Sequence, residues 1–302
     1  MKKDINEIYK DITSLEYSEI VNYCNELFPQ IPISVIDFEN ERFAFKQREF
    51  GGVNVVYRAR LISNSDNKPH ETVSAISYIP QELKEKITEY GRVNKPNQPM
   101  FYGSFDFATA CTEAVTKGNV FENKNSVMLT VGVWKFTNPL KLVKIPHSER
   151  RFKEFYDEVN FESESIKLEH IEAQNIKVKE QFGSEEEYKL LELFADEFAT
   201  FNSKSNIEYR LSNYYADRVF NKIDPFIVQE QLEGIIYPSL ALSYQHNNIV
   251  LPPEIVDQKL EFVEAMQVWM VISPNSEGAQ FIPIKQRVHS DPNGTLKWNK
   301  TK

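Results

Sequence analysis

Residues 91–115, "GRVNKPNQPMFYGSFDFATACTEAV", pass through three kinds of backbone in quick succession. Pro96 and Pro99 exclude a helix between them, because proline lacks the N–H that a helix needs and clashes with the preceding turn. "PMFYGS" reads as a short strand. Asp106 is a good N-cap for a helix over 107–117, and Gly118 stands where a C′ residue belongs. Phe107, Ala110, Cys111, Ala114 and Val115 recur at i, i+3, i+4, i+7 and i+8, which gives that helix one packed stripe. At 100° per residue, Glu113 lies roughly 130° from the centre of the stripe. It faces either a cleft or water.

Working outward, the flanking elements set the class. Residues 53–61, "VNVVYRARL", alternate, with Val53, Val55, Tyr57, Ala59 and Leu61 on one face and Asn54, Val56, Arg58 and Arg60 on the other. This is a strand with two arginines on one side. "SVMLTVGVWKF" (126–136) is apolar on both faces and reads as a central strand, followed by "LKLVKI" (140–145). Residues 4–28 read as helical, ended by Pro29 and Pro32, and 63–71 as a polar loop. From 146 to 206 the chain turns charged, an inserted helical block in which Ser184 and Glu187 form a capping box. A helix is expected over 207–222 and strands over 234–238, 247–251 and 262–272. The tail from 274 is expected to be partly irregular. Helices interrupting non-repeating strands make an α+β pattern, not a βαβ alternation.

Composition excludes several functions. The chain has 302 residues, enough for one large domain or two small ones, and 41% are hydrophobic, so a sizeable core is available. A net charge of −9 argues against non-specific nucleic-acid binding, which needs a basic surface. It leaves room for a local basic pocket. The two cysteines, Cys24 and Cys111, lie far apart, which fits a reducing, cytoplasmic location. The five histidines are scattered without metal-ligand spacing, so no metal is expected. No GxGxxG or GxxxxGK[ST] loop occurs. The sequence holds no signal-peptide pattern and no apolar run of membrane-spanning length, so no membrane association is expected.

Four residues are candidates for chemistry, and each has an ordinary alternative. Arg58 is either a surface ion-pair partner or a bidentate clamp on a phosphate, and Arg60 on the same face shares that choice. Tyr102 is either strand packing or a ring that stacks on a flat ligand. Ser239, after "EGIIYP", is either a turn residue or a hydroxyl that orients a carboxylate or sugar. Glu113 precedes Lys117 by four residues, the favourable order for a helix ion pair worth about 0.2–0.5 kcal/mol. Against this, it sits toward the C-terminal half of a short helix, where the macrodipole disfavours a negative charge.

Taken jointly, "VYRAR", "GRVN…FYGS", "TACTE" and "EGIIYPS" with "NNIVL" resemble the RES domain family, named for its Arg, Glu and Ser. The family pattern places Glu eleven residues after Tyr, the interval here between Tyr102 and Glu113. The resemblance runs from about residue 51 to about 272. It implies an ADP-ribosyltransferase-like mixed β core with surrounding helices. It also implies action on NAD, as substrate and not as a permanently bound cofactor. Glu113 would then oppose the positive charge that develops as the nicotinamide–ribose bond breaks, or hold the ribose hydroxyls and the attacking water. Arg58 would grip the pyrophosphate, with Arg92 assisting and Arg60 sharing or replacing Arg58. Tyr102 would stack on nicotinamide or ribose, and Ser239 would orient Glu113 or the ribose. Many family members are bacterial toxins paired with a helix-turn-helix antitoxin.

The leading expectation is an NAD glycohydrolase, or a phosphorylase if phosphate replaces water. An ADP-ribosyltransferase acting on a protein or nucleic acid is the alternative, and a non-catalytic binding module the third. The expected layout is an N-terminal helical extension over 1–50, a catalytic domain over 51–275 with its insertion at about 146–206, and a tail over 276–302. The extension and insertion exceed the shortest toxins of the family and read as a regulatory element or a homo-oligomer surface. They leave open whether a separate antitoxin is a partner.

Overall fold

A computed structural model describes residues 15–28, 30–38, 55–63, 67–116, 126–159, 164–199, 209–221, 231–240, 246–272 and 279–298. In chain order, the first half holds α1 (Tyr17–Leu27), β1 (Val35–Asp37), β2 (Val55–Leu61), α2 (Val73–Ile76), a 3-10 turn (Gln81–Lys86), β3 (Phe101–Ser104), α3 (Phe107–Thr116), β4 (Ser126–Phe136) and β5 (Lys141–Lys144). There follow α4 (Glu149–Val159), α5 (Glu164–Lys179), α6 (Glu185–Phe198), α7 (Arg210–Phe220), β6 (Gly234–Pro238), β7 (Asn247–Leu251), α8 (Pro253–Lys259), β8 (Leu260–Ile272) and β9 (Ala279–Val288). Parallel and antiparallel pairings both occur, so the fold is α+β with mixed strand pairing.

The chain divides into two units, each assembled from three sequence segments. The first comprises Met1–Asn40, Glu85–Gln98 and Leu140–Leu240. Its strands run β1-β5-β6, antiparallel between β1 and β5 and parallel between β5 and β6. The charged block over 146–206 carries α4, α5 and α6. Ser184 caps α6 by accepting from the Glu187 N–H at 3.2 Å, and Tyr188, Leu191, Phe194 and Phe198 form its buried face. Phe194 meets Tyr215 of α7 with ring centroids 4.8 Å apart. Asn25 of α1 accepts from Tyr214 and Arg218 of α7 at 3.0 and 2.8 Å. The helix expected over 4–28 begins, among the described residues, at Tyr17; residues 1–14 lie outside them.

The second unit comprises Glu41–Lys84, Pro99–Pro139 and Ala241–Lys302. Six strands run β7-β3-β2-β4-β8-β9, every pair antiparallel. β4 spans 126–136 as the sequence predicts and lies between β2 and β8. Its double-sided burial follows from cover on both faces, by α3 on one and by Ile76 of α2 beside Gly132 on the other. On one face, Val127, Leu129, Val131 and Val133 pack with Met266, Val268 and Met270 of β8 and with Ala110, Cys111 and Val115 of α3. These helix positions are the stripe read from the sequence. Asp106 caps α3 as expected: its Oδ1 accepts from the Thr109 N–H at 2.7 Å and from the Thr109 hydroxyl at 2.8 Å. Gly118, the expected stop, lies outside the described residues.

The C-terminal stretch differs from expectation. Residues 279–288 form β9, paired along β8 from Ile272↔Ala279 to Ala265↔Val288. Pro283 and two register shifts disguise the alternation that would mark this strand in the sequence. The short helix α8, with Pro253 at its start, was also not read.

Candidate active site

The strand register decides which residues meet. Tyr57 of β2 stands opposite Ser104 of β3, the one residue pair that joins these strands among the described residues. β2 is by contrast paired with β4 along its whole length, from Val55↔Lys135 to Leu61↔Leu129. β3 is fully paired with β7, from Phe101↔Leu251 to Ser104↔Asn248. The ladder between β2 and β3 therefore opens just beyond Tyr57, at Arg58.

Residues directly opposite one another share a face, and faces alternate along each strand. Tyr57, Tyr102, Ser104 and Asn248 thus face α3, with the Tyr57 ring edge-on to Phe107 at 5.9 Å. Arg58, Arg60, Phe101 and Gly103 lie on the opposite face. Gly103 is required by close approach: a Cβ there would stand 2.5 Å from Val56 Cγ2 and 3.1 Å from the Tyr57 carbonyl oxygen.

Arg58 fills the opening. Its Nη1 donates to the Tyr102 carbonyl at 2.6 Å, and its guanidinium carbon stands 5.2 Å from the Phe101 ring centroid. A backbone carbonyl lies near the plane of its sheet, so the guanidinium sits in the seam and not on a flat face. The Nε of Arg58 is sealed from solvent and has no hydrogen-bond partner among the described residues. Arg60, two residues on, donates through Nη2 to the Ser77 carbonyl at 2.9 Å. No carboxylate of the described residues pairs with either arginine. Burial, then repulsion from Arg60, pushes the Arg58 guanidinium down to about 9, and burial lowers Arg60 as well. Two half-buried cations without a counter-charge among the described residues make an anion-seeking locus.

Glu113 stands on the other side of β3. It is half-buried on α3, and its Oε1 accepts from the Asn248 side-chain Nδ2 at 2.7 Å. Tyr102, also half-buried, connects the two groups: its carbonyl receives Arg58, and its side chain projects toward the face that carries Glu113. Arg58, Tyr102 and Glu113 are thus gathered around one short strand. Lys117, the ordinary ion-pair partner for Glu113, lies outside the described residues. The contact from Asn248 was not foreseen. Its signal is faint: asparagine is depleted in strands, so a buried one inside "NNIVL" calls for a polar partner.

Arg92 and Ser239 belong to the first unit. Arg92 donates through Nη1 to the Phe198 carbonyl at 2.7 Å, at the C-terminal end of α6, and lies 5.3 Å from the Tyr209 ring centroid. Its loop is held by α7, where Asn213 Nδ2 donates to the Gly91 carbonyl at 2.6 Å and Lys95 pairs with Asp217 at 2.8 Å. Ser239 follows the end of β6 and is fully buried. Among the described residues no cluster of His, Cys, Asp and Glu is built to hold a metal. No helix among them is long and apolar enough to cross a membrane.

Comparison with family models gives a match to the RES domain over residues 55–271. That is well over half of the chain, and the protein belongs to the RES domain family. No curated protein matches the chain.

Proposed function

We propose that the chain is an NAD-consuming enzyme that cleaves the nicotinamide–ribose bond, with a β core of the ADP-ribosyltransferase kind. The observation that carries this reading is the Arg58–Arg60 pair, half-buried and without a carboxylate partner among the described residues, at the point where β2 and β3 part. A dinucleotide presents two adjacent phosphate charges, and guanidinium groups bind such oxygens with paired hydrogen bonds. Membership of the RES family supports NAD as the dinucleotide.

In this reading Arg58 and Arg60 hold the diphosphate and Tyr102 packs against nicotinamide or its ribose. The C1′–N bond breaks, and its electron pair passes to the pyridinium nitrogen, which leaves as neutral nicotinamide. The ribose carbon acquires oxocarbenium character, and the Glu113 carboxylate opposes that charge. A water oxygen then bonds to C1′ and gives up one proton to Glu113 and solvent, leaving ADP-ribose. The parts assigned to Arg92 and Ser239 rest on the family resemblance alone. A setting as a bacterial toxin rests on it too.

The test is product analysis by mass spectrometry after incubation with NAD in 18O-water, with and without phosphate and a protein extract. Singly 18O-labelled ADP-ribose with nicotinamide is expected. A phosphorylated ADP-ribose would replace hydrolysis by phosphorolysis, and label on a macromolecule would replace it by transfer. Intact NAD under all conditions would refute the enzyme reading.

A further inference from the structure

We infer that Asn248 is a positioning residue that fixes the Glu113 carboxylate for the reaction. The inference rests on the reading of Glu113 as the group that opposes the developing cation. It starts from the single contact between them, Asn248 Nδ2 to Glu113 Oε1 at 2.7 Å. An ionised carboxylate can only accept hydrogen bonds, so the amide must present its nitrogen there; the reverse orientation would set two acceptors against each other. Asn248 is 4% exposed, so water has little access to take over its role.

Both ends of this bond are anchored to the same strand. Asn248 stands opposite Ser104 in the β3–β7 ladder. Ser104 donates its hydroxyl to the Asn247 carbonyl at 3.1 Å and accepts from the Asp106 N–H at 3.3 Å. Asp106 caps α3, the helix that carries Glu113. The chain of contacts closes: β7 to Glu113, along α3 to Asp106, through Ser104 and back to β7. The separation between carboxamide and carboxylate is therefore set by the ladder and the cap, while Glu113 itself brings three rotatable bonds. Its own helix offers it no N–H, because at that depth every amide is already used by the turn before it. Asn248 supplies a fixed donor from outside.

The test uses the full chain and steady-state NAD turnover for Asn248→Ala and Asn248→Asp, each also combined with Glu113→Gln. Asn248→Asp keeps the shape and replaces the donor by a second acceptor, so it probes the bond without a cavity. We expect kcat to fall about 10- to 100-fold in Asn248→Ala, the range for losing a hydrogen bond to a charged group. Asn248→Asp should fall further, and KM for NAD should stay within about threefold of wild type in both, because the diphosphate contacts are untouched. In the Glu113→Gln background, adding Asn248→Ala should cost little more, since a residue acting through Glu113 has nothing left to position. Losses that add in full would overturn the inference. So would near-wild-type kcat in both Asn248 variants when Glu113→Gln is inactive. Unchanged turnover in Glu113→Gln, or none in wild type, would instead overturn the site reading and this inference with it.

Discussion

Replacing Arg58 by Met tests the anion-seeking seam. Two terms oppose each other in the unliganded protein. Removing a half-buried cation relieves a desolvation cost that reaches several kcal/mol for a deeply buried ion and is smaller here, because Arg58 keeps partial solvent contact. Against that, the Tyr102 carbonyl loses its 2.6 Å donor, and a bond to a charged group is worth about 1.5–3 kcal/mol. Because the two terms oppose each other, unliganded stability should change by less than the larger of them alone. The ligand response is different. A saturating diphosphate ligand at 100 times its Kd stabilises the folded chain by about 2.7 kcal/mol. For a chain of this size that is a Tm rise of several °C. ADP-ribose should produce such a rise in wild type, and Arg58→Met should weaken binding about 10- to 100-fold, which removes from about half to about five-sixths of the rise. Differential scanning calorimetry across a ligand titration reads both quantities. Equal ligand-induced shifts in wild type and Arg58→Met would refute the reasoning. The pH dependence carries the same sign. Burial lowers the folded-state value of Arg58 to about 9, so the unfolded chain holds that proton more tightly. The cost is present in full below about pH 9 and is relieved as pH rises through it.

Three further outcomes follow from individual contacts. Gly103→Ala places a Cβ 3.1 Å from the Tyr57 carbonyl and 2.5 Å from Val56 Cγ2. Overpacking of this kind costs about 1–3 kcal/mol, which urea denaturation will register. Asp106→Ala removes the cap that accepts two bonds from Thr109. It should cost about 0.5–2 kcal/mol in the same assay. Burial pushes the Cys24 thiol up to about 12 and the Cys111 thiol higher still. Neither should react with Ellman's reagent at pH 8 until denaturant is added, because the thiolate is the reactive form.

Much of the local structure around the candidate site was legible because it depends on adjacent residues. Asp106, the Phe107–Val115 stripe and the alternation of "VVYRARL" are properties of adjacent residues, and β4 and β7 were read to their exact ends. What escaped depends on pairing between distant segments. Nothing near Arg58 announces that β2 and β3 share a single residue pair among the described residues, since that is decided by where β4 and β7 claim their partners. That no carboxylate of the described residues pairs with Arg58 or Arg60 is decided by what surrounds them, and a strand with two arginines reads equally as a surface. Asn248 reached Glu113 across 135 positions of sequence, through register alone. β9 was hidden by Pro283 and by its interrupted alternation.

The most direct measurement of the central claim is nicotinamide release from NAD by wild type and by Glu113→Gln, side by side at equal folded concentration. The account predicts steady release by wild type and a fall of at least about 100-fold in Glu113→Gln, the scale expected for losing an electrostatic stabiliser of the transition state. Equal rates in the two proteins, or no release from wild type, would contradict it.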